Sequence, residues 1–146
     1  MPDADSVLVN ALASLHAGNA LDLAAGSGRH SRWLAKRGWN VTAVDIEVSE
    51  IPGVHSIRAD LENHEYRVAP NSWDLIVCWL YWQPDLLPEI ARGVRKGGCV
   101  ALAGKTSGRF ATSLVQFRDA FNSWTEIASG QNESRAFFIA TKELVD

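Results

Sequence analysis

The stretch from residue 20 to residue 45 constrains the fold more than any other part of the chain. An apolar run, Ala20 to Ala25, leads into Gly26-Ser27-Gly28, and residues 29–37 then have the composition of a helix. A second apolar run, Val41 to Val44, ends at Asp45. This pattern predicts a strand, a tight turn, a helix and a second strand with an acid at its tip.

The glycine turn and the acid suit a nucleoside ligand. Gly26 and Gly28 allow the backbone to approach a ligand without a clash at Cβ. The following helix directs unpaired N–H groups and a partial positive charge toward the turn, which favours a polar or anionic group there. Asp45 can accept two hydrogen bonds from a vicinal diol such as a ribose. The unit therefore predicts a site for a nucleoside cofactor.

The acid within the first strand indicates which cofactor. A dinucleotide fingerprint would have glycine where Ser31 stands. Instead, Asp22 is followed at every second position by the small residues Ala24, Gly26 and Gly28. This resembles the first motif of class I S-adenosylmethionine-dependent methyltransferases, with Ala24 in place of one of the usual glycines. It is most similar to small bacterial methyltransferase domains.

The resemblance covers about residues 20–98 and implies an α/β fold. We expect a single domain over residues 1–146, built on a doubly wound, mostly parallel, seven-stranded Rossmann-like sheet. Two strands, 124–129 and 135–141, read as a closing antiparallel hairpin because residues 130–133 give a turn signal.

The remaining elements follow from periodicity and turn residues. The pattern predicts helices over 5–15, 85–96 and 111–121 and a fifth strand over 99–103. Residues 46–53 are too few for a full crossover helix, so we expect one helical turn or an irregular link there.

The resemblance also implies roles around the methionine and ribose of the cofactor. Asp22 would support the methionine amino group, partly through water. Ala24, Gly26 and Gly28 would allow close backbone approach, and Asp45 would hold the ribose.

The adenine contacts are expected after the second and third strands. By the resemblance, Asp60 would receive the adenine amino group, with Leu61 beside the base. Ile46 would pack on the other face. The alternative for Asp60 is a helix cap or a turn aspartate.

An aromatic cluster follows the fourth strand, residues 73–78. Ligands of open α/β sheets lie beyond the carboxyl ends of the strands. This places Cys78, Trp79 and the residues up to Trp82 at the mouth of the site. They would line the acceptor pocket, contact the methionine of the cofactor, or pack in the core. We include Cys78 and Trp79 in the predicted cofactor site. Across the same edge, the polar loop after the fifth strand would border the acceptor site through Lys105, Thr106 and Arg109.

Two features near the site have competing interpretations. His30 lies in the first turn of the helix after the glycines, and an exposed residue flanking the pocket is favoured over a catalytic one. The N-terminal helix, 5–15, either covers the cofactor, as the resemblance implies, or simply packs on the sheet.

Composition restricts the partners. The net charge of −3 with scattered basic residues gives no nucleic-acid footprint, and no run is long enough to span a membrane.

Cys78 and Cys99 read as reduced core thiols, so we expect no metal site and a cytoplasmic protein. The default acceptor is a small molecule, and a homo-oligomer is one alternative for the assembly.

The sequence therefore predicts methyl transfer from S-adenosylmethionine by in-line displacement, accelerated mainly by proximity. No residue stands out as a general base. One alternative is a non-catalytic cofactor-binding or interaction module on the same fold, favoured by the short link at 46–53. Another is an NAD-dependent oxidoreductase, which Asp45 fits and Asp22 and Ser31 do not.

Overall fold

The computed structural model describes residues 3–47 and 49–144, and its strands form one seven-stranded sheet. The strands are β1 (Asn19–Leu23), β2 (Asn40–Asp45), β3 (Val54–Arg58), β4 (Trp73–Trp79), β5 (Val94–Lys105), β6 (Thr125–Gln131) and β7 (Arg135–Thr141). Their order is β3-β2-β1-β4-β5-β7-β6. The first five strands run parallel, whereas β7 is antiparallel to both β5 and β6. The predicted fold class is thus confirmed.

Helices cover both faces of this sheet. They are α1 (Ser6–Leu12), α2 (Arg29–Lys36), α3 (Leu87–Gly93) and α4 (Leu114–Ala120), with a 3-10 turn at Pro84–Leu86. On one face, α1 and α2 bury Leu8, Leu12 and Leu34 against the strands. On the other face, α3 and α4 bury Ile90 and Phe117. No helix in the described part of the chain is both long and apolar enough to cross a bilayer.

The prediction of a helix up to residue 96 is wrong at its carboxyl end. The α-helix ends at Gly93, and Val94 already pairs with Trp73 as the first residue of β5. Farther on, the Gly97 amide donates to the Lys142 carbonyl at 2.9 Å. The helical spacing of apolar residues continues to Val94, but pairing with a distant strand decides its conformation.

The predicted helices 5–15 and 111–121 are both shorter than expected. Asp5 caps α1 by accepting a hydrogen bond from the Val7 amide at 3.0 Å, and Ser113 caps α4. These caps satisfy amides that have no partner inside the helix, so they fix where each helix begins.

The link between β2 and β3 contains no helix in its described residues, as the short spacing predicts. Ile51 from this link is buried, with 7% of its surface exposed. The first strand ends before Ala24, whose φ of 55° turns the chain out of the sheet. The Ala25 amide then donates to the Val44 carbonyl at 3.1 Å, so the turn stays joined to β2.

Candidate functional site

A cavity of about 320 Å³ opens at the carboxyl ends of β1, β2 and β3. Its lining consists of Ala24, Asp45, Ile46, Ala59, Asp60, Leu61, Glu62, Leu80 and Tyr81. Five of these were predicted from the sequence as cofactor contacts: Ala24, Asp45, Ile46, Asp60 and Leu61. The fold thus brings together residues from three separate stretches of the chain.

Asp45 connects the second strand to the glycine turn. Its Oδ2 accepts a hydrogen bond from the Gly26 amide, and its Oδ1 accepts one from the Glu47 amide, both at 2.9 Å. Two backbone donors therefore fix the carboxylate at the mouth of the cavity. Each oxygen keeps capacity for a further donor, since an ionised carboxylate offers about four acceptor sites.

The two glycines of the turn have different surroundings. Both have positive φ, 59° at Gly26 and 82° at Gly28. A Cβ at Gly28 would lie 2.2 Å from Cδ1 of Ile51, whereas a Cβ at Gly26 would meet nothing within 4 Å. The positive φ and the contact with Ile51 both favour glycine at 28, whereas Gly26 faces open space.

Asp22 is buried beneath the turn, with 2% of its surface exposed. It accepts a hydrogen bond from the Ser31 hydroxyl at 2.7 Å. Burial raises the pKa of Asp22 to about 7; the Ser31 hydrogen bond opposes this rise and the charge of Asp45 adds to it. Ser31, which the sequence marks only as a missing glycine, is thus the hydrogen-bonding partner of this acid.

Asp60 makes the hydrogen bonds of a turn residue and also lines the cavity, while its contact with adenine stays a prediction. Its Oδ1 accepts from the Glu62 amide at 3.0 Å and its Oδ2 from the Asn63 side-chain amide at 2.9 Å. This is the geometry of a turn aspartate, yet the residue also lines the cavity. Ile46, 59% exposed, and the buried Leu61 supply apolar surface there.

Cys78 and Trp79 do not line the cavity. Cys78 belongs to the core on the α3–α4 face, and burial together with the charge of Asp22 raises its pKa to about 12. Trp79 points to the opposite face and donates from Nε1 to Asp5 at 3.3 Å. Their contact with a cofactor stays a prediction.

The next two residues, Leu80 and Tyr81, line the cavity instead. Leu80 has φ of 61°, and its amide donates to the Ala103 carbonyl at 2.8 Å. The left-handed conformation turns the chain at the end of β4. The sequence placed both residues in the aromatic cluster at this edge but did not single them out, since a leucine carries no sequence signal for this conformation.

The prediction of an exposed His30 is wrong. The residue is 5% exposed, packs edge-on against Trp79, and accepts a hydrogen bond from the Asp5 amide at 3.2 Å. Burial lowers the pKa of His30 to about 4; the Arg29 charge lowers it further, and Asp5 opposes both. The segment before α1 lies over this histidine, a contact that local sequence does not signal.

Asp5 fastens that segment to the sheet. Its carboxylate pairs with both terminal nitrogens of Arg135 at the start of β7, in addition to accepting from Trp79. Burial acts to raise the pKa of Asp5, but the hydrogen bonds from Arg135, Val7 and Trp79 outweigh it and lower the pKa to about 2. The start of α1 is therefore held by β4, β7 and α2 at the edge where ligands of this fold bind.

Comparison with known proteins agrees with this geometry. The model of a family described as "Methyltransferase domain" matches residues 20–98. Malonyl-[acyl-carrier protein] O-methyltransferase of Salmonella typhimurium is 32% identical in an alignment 138 residues long, and this alignment spans 88% of this chain and 51% of that protein. The chain thus spans about half the length of this relative.

Solved structures share the fold at low sequence identity. TehB from Haemophilus influenzae superposes with a TM-score of 0.82 at 16% identity, covering 96% of this chain and 63% of that one. Phosphoethanolamine N-methyltransferase 2 of Haemonchus contortus, solved with S-adenosylmethionine, gives 0.72 at 16% identity and covers 94% and 51%.

The fold is that of a Rossmann-like domain, and its candidate site is a cavity at the carboxyl edge of the sheet. The family match covers more than half of the chain, and the chain belongs to the methyltransferase domain family.

Proposed function

We propose that this protein transfers the methyl group of S-adenosylmethionine to a small-molecule acceptor in the cytoplasm. One observation supports the proposal. Asp45, Asp60 and three apolar or small residues that the motif assigns to the cofactor all line the same cavity. These positions come from the ends of three different strands, so their meeting depends on the fold rather than on closeness in sequence.

The described residues fit the parts of the cofactor. Asp45 would accept the ribose hydroxyls with the oxygen capacity that its two backbone donors leave free. Asp60, Leu61 and Ile46 would surround the adenine. The open side of Gly26 would face the methionine, with Asp22 below it supporting the amino group.

Positioning carries the proposed chemistry. When bound, S-adenosylmethionine supplies a sulfonium methyl group that a nucleophile takes by in-line displacement. Among the described residues, Asp45, Asp60 and Glu62 line the cavity and no lysine, arginine or histidine does, so the negative charge there favours a cationic ligand. Burial raises the pKa of Tyr81 to about 12, and its hydroxyl donates to Gln83 at 2.6 Å. The phenol therefore stays protonated at neutral pH and is not the base of the reaction.

The Salmonella relative supports a second candidate acceptor. Its name states that it methylates an oxygen of malonyl-acyl carrier protein, and it aligns with 88% of this chain. On this alternative the acceptor is a carboxylate carried on a protein and the product is a methyl ester. Assays of purified protein with malonyl-acyl carrier protein and with free small molecules, read by the mass of the product, separate the two.

The cofactor assignment is tested by calorimetry with S-adenosylmethionine and S-adenosylhomocysteine. We expect saturable binding that weakens about five- to a hundredfold in Asp45→Ala, because hydrogen bonds to the ribose are lost. Asp119→Ala, on the exposed side of α4, is the matched control and should bind like the wild type. Titration with NAD tests the oxidoreductase alternative. A folded wild-type protein that binds neither S-adenosylmethionine nor S-adenosylhomocysteine contradicts the proposal.

A further inference from the structure

Two further cavities continue outward from the cofactor cavity. A middle cavity of about 190 Å³ is lined by Glu62, Leu80, Tyr81, Trp82, Lys105 and Phe110. An outer cavity of about 470 Å³ shares Glu62, Trp82 and Phe110 with it. Because neighbouring cavities share lining residues, the three form one cleft, with the cofactor cavity as its inner end.

Apolar side chains give this cleft its walls. Trp82 is fixed by an edge-to-face contact with the buried Phe117, their ring centres 5.5 Å apart. Leu80 and Phe110 are 38% and 59% exposed, although they are large and apolar. With Ile46 at the inner end, three of the six exposed large hydrophobic side chains of the described residues lie along this one cleft. Exposed apolar surface concentrated in this way marks a ligand site.

Charge is distributed unequally along the cleft. Among the described residues, the inner end carries three carboxylates and no cationic side chain. Lys105 lines the middle cavity together with Glu62. Arg109 lines the outer cavity together with Glu62 and Asp85, and Asp85 Oδ2 lies 3.3 Å from His64 Nε2. Within the described residues the Lys105 ammonium makes no hydrogen bond or ion pair, and the Arg109 guanidinium only stacks on Phe110, 5.3 Å from its ring centre. Both cations are therefore free to bind an anion.

We propose that the middle and outer cavities bind an acceptor with an apolar or aromatic body and one carboxylate, and that Lys105 and Arg109 hold this carboxylate. This rests on the proposed function, because the acceptor must reach the cofactor at the inner end. Stacking of Arg109 on Phe110 presents the guanidinium beside an apolar surface, which suits a carboxylate attached to a ring or chain.

The position of the two cations also orients the acceptor. Glu62 lines all three cavities, but at the inner end it stands with Asp45 and Asp60 and with no cationic side chain of the described residues. These three negative charges repel a carboxylate from the inner end, whereas Lys105 and Arg109 can pair with one in the middle and outer cavities. The carboxylate is therefore the group that is bound, and the group that receives the methyl is a neutral amine or hydroxyl at the inner end. Its nitrogen or oxygen forms the new bond to carbon as the S–CH3 bond breaks, S-adenosylhomocysteine leaves, and the proton of the methylated group passes to water.

The test uses matched pairs of compounds. The probes are phenylalkanoic acids bearing an amino or hydroxyl group on the ring, each beside its own carboxamide. Binding is measured by calorimetry with and without S-adenosylhomocysteine, and product masses are recorded after incubation with S-adenosylmethionine. We expect at least one acid to bind about fivefold or more tightly than its amide, since a charge-assisted hydrogen bond is lost in the amide.

Two variants locate the preference. Lys105→Gln and Arg109→Gln should each reduce the preference for acid over amide without changing affinity for S-adenosylhomocysteine, since neither residue lines the cofactor cavity. Lys36→Gln, at the far end of α2, is the matched control and should keep the preference.

Three results would overturn the inference. They are acids that bind no better than their amides, variants that keep the full preference, and a methyl ester as the product. Loss of S-adenosylhomocysteine binding by the folded wild type would instead contradict the proposed function. The preference for acid over amide is also measured without S-adenosylhomocysteine, so the carboxylate site is tested independently of cofactor binding.

Discussion

The carboxylate of Asp5 and the guanidinium of Arg135 form a two-point ion pair between residues 130 positions apart in the sequence. The Asp5 side chain is 11% exposed and that of Arg135 is 27% exposed, so the pair is largely shielded from water. It joins the start of α1 to β7, beside the carboxyl end of β5. A pair in this position contributes more than an exposed one, because removing one partner leaves a partly buried charge.

Replacement of Arg135 by methionine should therefore destabilise the protein by about 1–3 kcal/mol, measured by urea unfolding. Arg135→Lys should recover part of the loss because it restores the charge but not the two-point geometry. The control is Arg118→Met, since Arg118 pairs with Glu126 on the surface and its loss should change stability little. Equal effects of the two methionine variants would contradict this view of the Asp5–Arg135 pair.

His30 should make stability depend on pH in the acidic range. Its pKa is about 4 in the folded protein and 6.5 ordinarily. Between these values the unfolded chain binds a proton that the folded chain does not. The contribution of neutral His30 to the free energy of unfolding is therefore complete above pH 6.5 and is lost as the pH falls toward 4. Asp22 acts oppositely, because its folded pKa is raised, and partly offsets His30 in the wild type.

The comparison with His30→Gln isolates the histidine, since glutamine can still accept from the Asp5 amide but does not titrate. The stability of the wild type relative to this variant should fall by about 2 kcal/mol between pH 7 and pH 4.5. A difference that stays constant over this range would show that His30 does not titrate as its burial requires.

Asp22 should couple cofactor binding to proton release. With a pKa of about 7 the acid is largely protonated at pH 6, whereas contact with the methionine ammonium requires the carboxylate. The affinity for the cofactor should therefore rise about tenfold per pH unit well below pH 7, and it should level off above pH 7. In calorimetry at pH 6, the binding enthalpy should vary with the ionisation enthalpy of the buffer, and in Asp22→Asn it should not. No buffer dependence in the wild type would argue against direct contact.

Ala24 occupies a left-handed conformation that glycine adopts more readily. Ala24→Gly should raise the free energy of unfolding by about 0.5–1 kcal/mol and leave cofactor binding intact. Asn71 is the matched control, because its φ of 50° lies in the same region but asparagine tolerates it, so Asn71→Gly should change stability less. A destabilised Ala24→Gly protein would mean that the methyl group contributes more packing than strain.

Local patterns were sufficient to predict much of this architecture. The glycine turn, the acid at the end of β2 and the span of β7 were all read from neighbouring residues, and the structure has them in those positions. The motif predicts Asp45, Asp60 and Ile46 as cofactor contacts, and these residues meet at one cavity because parallel strands end at the same edge.

What sequence reasoning missed depends on contacts between distant residues. Val94 continues a helical pattern but pairs with Trp73, and His30 has the setting of a surface residue but lies beneath the segment of Asp5. The left-handed Leu80, which brings its side chain into the cleft, has no local signal either. Each of these outcomes is determined by a partner that the local sequence does not contain.

The strand order has a consequence for synthesis of the protein. The antiparallel partner of β5 is β7, which is made later than β6 yet lies between β5 and β6. Until residues 135–141 leave the ribosome, the twelve-residue β5 has one edge with unpaired backbone groups, and its buried run of Cys99 to Ala103 is apolar. An apolar strand edge left open in this way can pair with another nascent chain, so aggregation during translation is the main hazard that this topology creates.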